Sequence, residues 1–320
     1  METYPFSIYD RWEREAISMG LVEKTFNKSE VIVKEGEVGK SFFRLLEGSA
    51  YVYADYDKKE PLRLGVLEAG EFFGEMSILE AYPRSATVVA KTPVVAVEIP
   101  GDDMKSYFKE NPDDIFELMK HLGGRVQAMA ADLENANGLL EELRKADEGK
   151  KKSLFSKIKK HMDTYQANKN QLDEPSREGL KAELEKYKDV SAGELKTLRK
   201  GMFIFREGKE EQCMYILHSG KVAMYNNYRS KEEVMLSELE AVSFFGEMGI
   251  ISDEPRNATA VVESNGATVE AISREDLQTM INKCPNKVYM ILRDMSYRLR
   301  KLNVDFLKTC KEITDNYKDT

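Results

Sequence analysis

The chain is short of the residues from which metal sites and disulfide frameworks are built. Its 320 residues include three histidines, His121, His161 and His218, and three cysteines, Cys213, Cys284 and Cys310, with no CxxC pair among them. Three scattered thiols exclude a disulfide framework and fit a reducing compartment. Only one histidine falls in a strand-like segment, so an enzyme built around a metal inside a cupin-like roll lacks its ligands. Neither a metal nor a cofactor is expected, and the chain does not read as an enzyme. No apolar run approaches the roughly 18 residues that cross a bilayer. The opening Met1-Glu2-Thr3-Tyr4-Pro5 has neither a basic segment nor an apolar core, so no secretory signal is expected. There is also no surplus of positive charge: Lys and Arg number 48 against 56 Asp and Glu, a net charge of -8. That balance disfavours a protein whose main task is gripping nucleic acid. The expectation is a cytoplasmic chain without membrane attachment.

What the chain does contain, it contains twice. A shift of 172 residues places Gly36 on Gly208, Gly48 on Gly220, Gly74 on Gly246, Glu75 on Glu247, Pro83 on Pro255 and Arg84 on Arg256. Over 72–88 against 244–260, ten of seventeen positions are identical. The length suits two domains, and the duplication divides it into a first domain at 1–145, a charged helical linker at 146–190, broken near Pro175, and a second domain at 191–320. Each copy carries short runs of β-branched and aromatic residues separated by turn residues. In copy one they fall at 31–34, 41–46, 50–54, 63–67 and 86–97; in copy two at 202–205, 213–217, 221–225, 234–239 and 258–272. The predicted fold is mainly β with flanking α: two jelly-roll-like β-rolls.

A long helix is predicted after each roll, with Pro112 and Pro285 at favourable first positions. In the first, Ile115, Met119, Leu122, Val126, Met129, Leu133, Ala136, Leu140 and Leu143 repeat with 4-3 spacing, the pattern of a coiled-coil seam. This seam predicts a homodimer through residues 112–145, with Gly123-Gly124 as a hinge or a close approach. The second helix is expected to be shorter, through Ile291, Met295, Leu299, Leu302 and Phe306. Ser191-Ala-Gly-Glu194 has the form of a capping box and predicts a helix leading into copy two.

The chemistry lies in the repeated segment Phe73-Gly74-Glu75-Met76-Ser77, then Arg84-Ser85-Ala86, and its twin Phe245-Gly246-Glu247-Met248-Gly249, then Arg256-Asn257-Ala258. A glycine entering a short helical turn leaves backbone N–H groups for an anion. An arginine nine residues past the glutamate adds a planar cation that can fork onto two phosphate oxygens. The glutamate would repel such a ligand unless it accepts from a sugar hydroxyl, so sugar and phosphate together indicate a nucleotide. The segment resembles the phosphate-binding cassette of the cyclic nucleotide-binding domain family, which includes catabolite-activator type regulators and the regulatory subunits of cyclic-AMP-dependent protein kinase. The resemblance implies that Glu75 and Glu247 hold the ribose hydroxyl, Arg84 and Arg256 the cyclic phosphate, and Gly74 and Gly246 the backbone approach. It also places Asn303 as a polar contact to the base in copy two.

The implied function is a cyclic nucleotide sensor that binds cyclic AMP or cyclic GMP in one or both rolls and signals to an effector protein of unknown identity. The alternative is a non-catalytic interaction protein with degenerate pockets. Residues 310–320 are too few for the helix-turn-helix of bacterial family members, so direct DNA binding is not expected. No Arg-Arg dipeptide is present, so the basic inhibitory motif of kinase regulatory subunits is missing. The basic run 150–160, with Leu154, Phe155, Ile158 and Met162 on one side, reads either as a solvated linker face or as a dock for an acidic partner or anionic lipid.

Overall fold

The computed structural model describes residues 21–318, apart from positions 60, 81 and 253 and parts of 147–192. Copy one contains β1 (Val22–Phe26), β2 (Val31–Val33), β3 (Ser41–Glu47), β4 (Ser49–Ala54), β5 (Leu62–Glu68), β6 (Phe72–Phe73), a five-residue helix α1 (Glu75–Leu79), β7 (Thr87–Ala90) and β8 (Val94–Pro100). Two four-stranded antiparallel sheets result, ordered β1-β8-β3-β6 and β2-β7-β4-β5. Helices α2 (Met104–Glu110), α3 (Asp113–Lys145) and α4 (Phe155–Asn168) follow. Copy two repeats the plan with β9 (Glu194–Arg199), β10 (Phe203–Phe205), β11 (Cys213–Ser219), β12 (Lys221–Asn226), β13 (Val234–Glu240), β14 (Ser243–Phe245), α5 (Met248–Ile251), β15 (Thr259–Val262) and β16 (Gly266–Ser273). Its sheets are β14-β11-β16-β9 and β10-β15-β12-β13, and α6 (Arg274–Lys283) and α7 (Pro285–Lys318) complete it.

The paired copies retain even their irregularities. The β3–β8 register slips by one between Leu45 and Glu47, and β11–β16 slips between Leu217 and Ser219, the equivalent place. The tight turns that follow require glycine: Gly48 has φ 85° and Gly220 φ 90°, and a Cβ on Gly48 would lie 2.1 Å from the Pro93 carbonyl oxygen. Inward-facing residues of both sheets meet in each roll. Val33, Phe43, Leu45, Phe73, Val88 and Val94 fill the first, Phe205, Tyr215, Leu217, Phe245, Val262 and Val269 the second. The Phe43 and Phe73 rings stack at 5.1 Å and 10°, an arrangement worth about 0.5–1.5 kcal/mol beyond the area it buries.

Several sequence expectations require correction. The run 86–97 is two strands in different sheets, β7 and β8, because Lys91 and Thr92 turn to donate to the Ser49 carbonyl. The run 258–272 divides in the same way into β15 and β16. The capping box at 191–194 opens no helix: Glu194 begins β9, which pairs with β16 from Glu194↔Ala271 to Arg199↔Gly266. β1 and β9 are largely exposed edge strands and were not anticipated from the sequence. The second long helix is not shorter, having 34 residues against 33 for α3. Positions 150 and 152 of the basic run and the residues flanking Pro175 lie outside the described residues, while 155–160 form the first turns of α4.

By internal contacts the chain forms two compact units that do not follow its linear order. Unit one comprises Met1–Tyr107, Arg125–Pro175 and Ser296–Thr320; unit two comprises Phe108–Gly124 and Ser176–Met295. Within unit one the later parts of α3 and α7 are in contact. Asn137 Oδ1 accepts from Thr309 Oγ1 at 3.0 Å, and Arg144 meets Glu312 at 2.8 Å. Ala136, Leu140 and Leu143 of the predicted seam, with Leu139 beside them, bury with Ile158 of α4 and Ile313 of α7, and Leu154, Met162 and Phe306 pack around them. The last turns of the heptad are thus covered within unit one, and Leu154, Ile158 and Met162 of the basic segment pack onto them. Within unit two, Gly123 does not break α3; a Cβ there would stand 3.0 Å from Ile251 Cδ1 and from Met248 Sδ. Among the described residues, no helix is long and apolar enough to cross a membrane, and no group of three or more His, Cys, Asp or Glu is placed to hold a metal ion.

Candidate functional site

Each cassette begins where a strand ends on a residue that must adopt positive φ. Gly74 (φ 79°, ψ 0°) follows β6 and precedes α1, and Gly246 (φ 70°) follows β14. Only glycine takes this conformation without steric cost. The turn swings Glu75, Met76 and Ser77 inward, all buried, and Glu247 is 6% exposed in the second roll.

The arginine is held by backbone from both sides. In roll one Gly36 N donates to Arg84 O at 2.9 Å, and Arg84 N donates to Glu37 O at 2.8 Å. In roll two Gly208 and Lys209 hold Arg256 in the same way, at 2.8 and 2.9 Å. Thr87 and Thr259, three residues on, accept from Glu35 N and Glu207 N and lock the facing turn. Both guanidinium groups then reach back to the cassette glycine. Arg84 donates to Gly74 O at 2.7 Å, Ser77 Oγ at 2.7 Å and Ser41 O at 2.6 Å. Arg256 donates to Gly246 O at 2.7 Å and Cys213 O at 2.5 Å.

Acid and base in roll one are not locked onto each other. Glu75, 1% exposed, pairs with Arg125 of α3 at 3.3 Å. Burial lowers the pKa of the Arg84 guanidinium, and the charge of Glu75 opposes that shift from a distance. In roll two Arg256 lies over the Phe205 ring at 4.4 Å, and its buried Nε has no hydrogen-bond partner. A buried donor left unmade costs about 1–3 kcal/mol, so an incoming acceptor there would be well received.

The remaining expected residues are placed as follows. Phe73, Phe245 and Ala258 are buried core; Met76 is buried; Met248 and Ala86 are half-buried. Gly249 lies under Arg256, where a Cβ would fall 2.2 Å from Nη1. Ser85 is half-buried and its carbonyl accepts from Gln171, while Asn257 is exposed. Asn303 lies on the part of α7 counted with unit one, whereas Glu247 and Arg256 belong to unit two. Residues that the motif reading passed over are Ser41 and Cys213, whose carbonyls bind the guanidinium, and Thr87 and Thr259. The repeated Thr was visible in the duplication, but a carbonyl role leaves no trace in residue type.

Comparison with known proteins identifies the family of the chain. The model of the cyclic nucleotide-binding domain matches residues 23–111 and 195–284, more than half of the chain. The chain is 25% identical over 258 residues to the cAMP-dependent protein kinase regulatory subunit of Dictyostelium discoideum, covering 79% of this chain and 64% of that subunit. It is 26% identical over 240 residues to the cGMP-dependent protein kinase of Plasmodium berghei (strain Anka), covering 74% of this chain and 21% of that kinase. The chain therefore spans less than two thirds of either relative. Among solved structures it resembles the regulatory domain of Toxoplasma gondii PKA with cAMP, at 18% identity, TM-score 0.28, and coverage of 87% of this chain and 88% of that one. The chain belongs to the cyclic nucleotide-binding domain family, whose domain it carries twice in tandem.

Proposed function

We propose that the protein is a regulatory sensor that binds a cyclic nucleotide, cyclic AMP or cyclic GMP, through Gly74, Glu75 and Arg84 in one roll and Gly246, Glu247 and Arg256 in the other, and passes the signal to a partner protein. The observation that carries this reading is the pair of buried guanidiniums, each built into a backbone frame beside a positive-φ glycine and a buried carboxylate. Isolated buried charge costs several kcal/mol per ion, and apolar residues easily replace it in a structural role; retention of the set in both rolls points to use. No catalytic step is assigned to the chain. The partner falls in the class of kinase catalytic domains, which the matched relatives either regulate or contain by name.

The route from ligand to partner runs through the long helices. Glu75 already contacts α3 through Arg125, and a ribose hydroxyl donating to Glu75 would compete with that pair. A ligand moves such an equilibrium only by its difference in affinity between the two arrangements. Isothermal calorimetry of the full chain with cyclic AMP and cyclic GMP tests the reading. Arg84→Ala and Arg256→Ala should each cost their own roll about 2–4 kcal/mol, the scale of lost charge-assisted hydrogen bonds. Unchanged affinity in both variants would overturn the assignment of these sites, and no binding by the parent chain would establish instead a scaffold with degenerate pockets.

A further inference from the structure

The two rolls differ at the arginine by a reciprocal exchange. Where roll one has Gly39 and Ser77, roll two has Glu211 and Gly249 at the positions 172 residues later. In roll one a Cβ on Gly39 would stand 2.2 Å from Ser77 Oγ and 2.7 Å from Arg84 Cζ, so no side chain fits there. In roll two the space is recovered by Gly249, whose own Cβ would meet the Glu211 carbonyl oxygen at 2.6 Å. The outcome is a carboxylate at the arginine: Glu211 Oε2 lies 3.7 Å from Arg256 Nη2 and accepts from the Tyr215 hydroxyl at 3.2 Å. Roll one has Phe43 in place of Tyr215 and cannot orient an acid in this way. Burial, with the Cys213 thiol contact, holds the Tyr215 phenol above its ordinary value, so it stays a donor.

We propose that Glu211 is a specificity-determining residue of roll two: it neutralises Arg256 in advance and makes this roll discriminate against the phosphate charge of a cyclic nucleotide. The proposal rests on the sensor reading above. A singly charged cyclic phosphate approaching Arg256 meets a carboxylate already beside the cation, and the two negative charges compete for one guanidinium. A purine nucleoside without phosphate presents the same ribose to Glu247 and meets no such competition. Roll one has glycine at this position and no room for a side chain there; Glu75, Glu37 and Glu98 act on Arg84, but no ion pair with it is formed among the described residues.

Calorimetry on the full chain with roll one disabled by Arg84→Ala isolates roll two. Glu211→Gln, which keeps an acceptor for Tyr215, should tighten cyclic AMP and cyclic GMP binding about tenfold, the scale of removing one like charge nearby. Binding of adenosine and guanosine should stay within about twofold over the same change. Glu211→Gly, copying Gly39, should act in the same direction, and unchanged melting of both variants shows that the fold is intact. Equal gains for charged and uncharged ligands, no gain for either, or a roll two that binds nothing in any variant would overturn the role of Glu211. The Arg256→Ala chain reads roll one separately: binding there keeps the sensor reading intact when Glu211 fails, and no binding at either roll ends the sensor reading.

Discussion

Arg84 and Arg256 illustrate how a charged side chain is kept in a β-roll interior. Each donates short hydrogen bonds to backbone carbonyl oxygens, Arg84 to Ser41 O and Arg256 to Cys213 O, which meet much of the desolvation cost, and Arg256 has in addition the Glu211 carboxylate at 3.7 Å. A different solution operates at Glu270, which is fully buried and accepts from Lys287 Nζ at 2.8 Å and from His218 or its proton at 2.7 Å, with Gly193 N at 3.1 Å. Lys287→Met removes the buried cation and should destabilise the chain by about 3–5 kcal/mol in urea titration, because one partner of a buried ion pair is lost. The equivalent acid in roll one, Glu98, accepts from Lys24 and Ser41 at its half-exposed site. Burial pushes its carboxyl upward, but those hydrogen bonds prevail and hold it below the ordinary value of 4.5. A depressed carboxyl contributes stability above its unfolded pKa and loses it as pH falls through the folded one. Glu98→Gln should therefore be less stable than the parent near neutral pH, with the difference shrinking in unfolding curves as the pH falls below the ordinary carboxylate value and through the lowered folded one.

At the level of elements, the short cassette helices are where each roll is tied to a long helix. In unit one, Glu80 at the end of α1 is bound by Ser296 and, at 2.6 Å, by Arg300 of α7, whose guanidinium also covers the Tyr82 ring at 4.2 Å. In unit two, α3 passes α5 so closely at Gly123 that no side chain fits without displacing Ile251 or Met248. Gly123→Val should cost about 1–3 kcal/mol by overpacking. Since Gly124 has open space, Gly124→Ala should instead be neutral or slightly stabilising through helix propensity. Thermal melting of the two variants side by side checks the contrast.

On the scale of the whole molecule, two rolls of one ancestry have kept the same strand order, bulges and arginine frame while differing around the ligand charge. A ligand that binds only the folded rolls raises stability by mass action, about 2.7 kcal/mol at a hundredfold excess over its Kd. Cyclic nucleotide should therefore raise the melting temperature of the parent chain, and the chain carrying both Arg84→Ala and Arg256→Ala should show no such rise. The duplication, most of the roll strands, the repeated Gly-Glu to Arg segment and the presence of a long helix after each roll were legible from residues alone, because each is written in local pattern: alternation, heptads, glycine at turns and a fixed Glu-to-Arg spacing. Strands β1 and β9 were not, since their exposed, mixed residues carry little periodicity and owe their form to pairing with β8 and β16. Nor could the heptad of α3 name its partner, because an apolar stripe specifies burial and not what covers it; α4 and α7 of the same chain do so. The exchange of Gly39 and Ser77 for Glu211 and Gly249 stood in the sequence as two unrelated differences. Only folding, which brings residues 38 apart onto one guanidinium, made them a single change in charge.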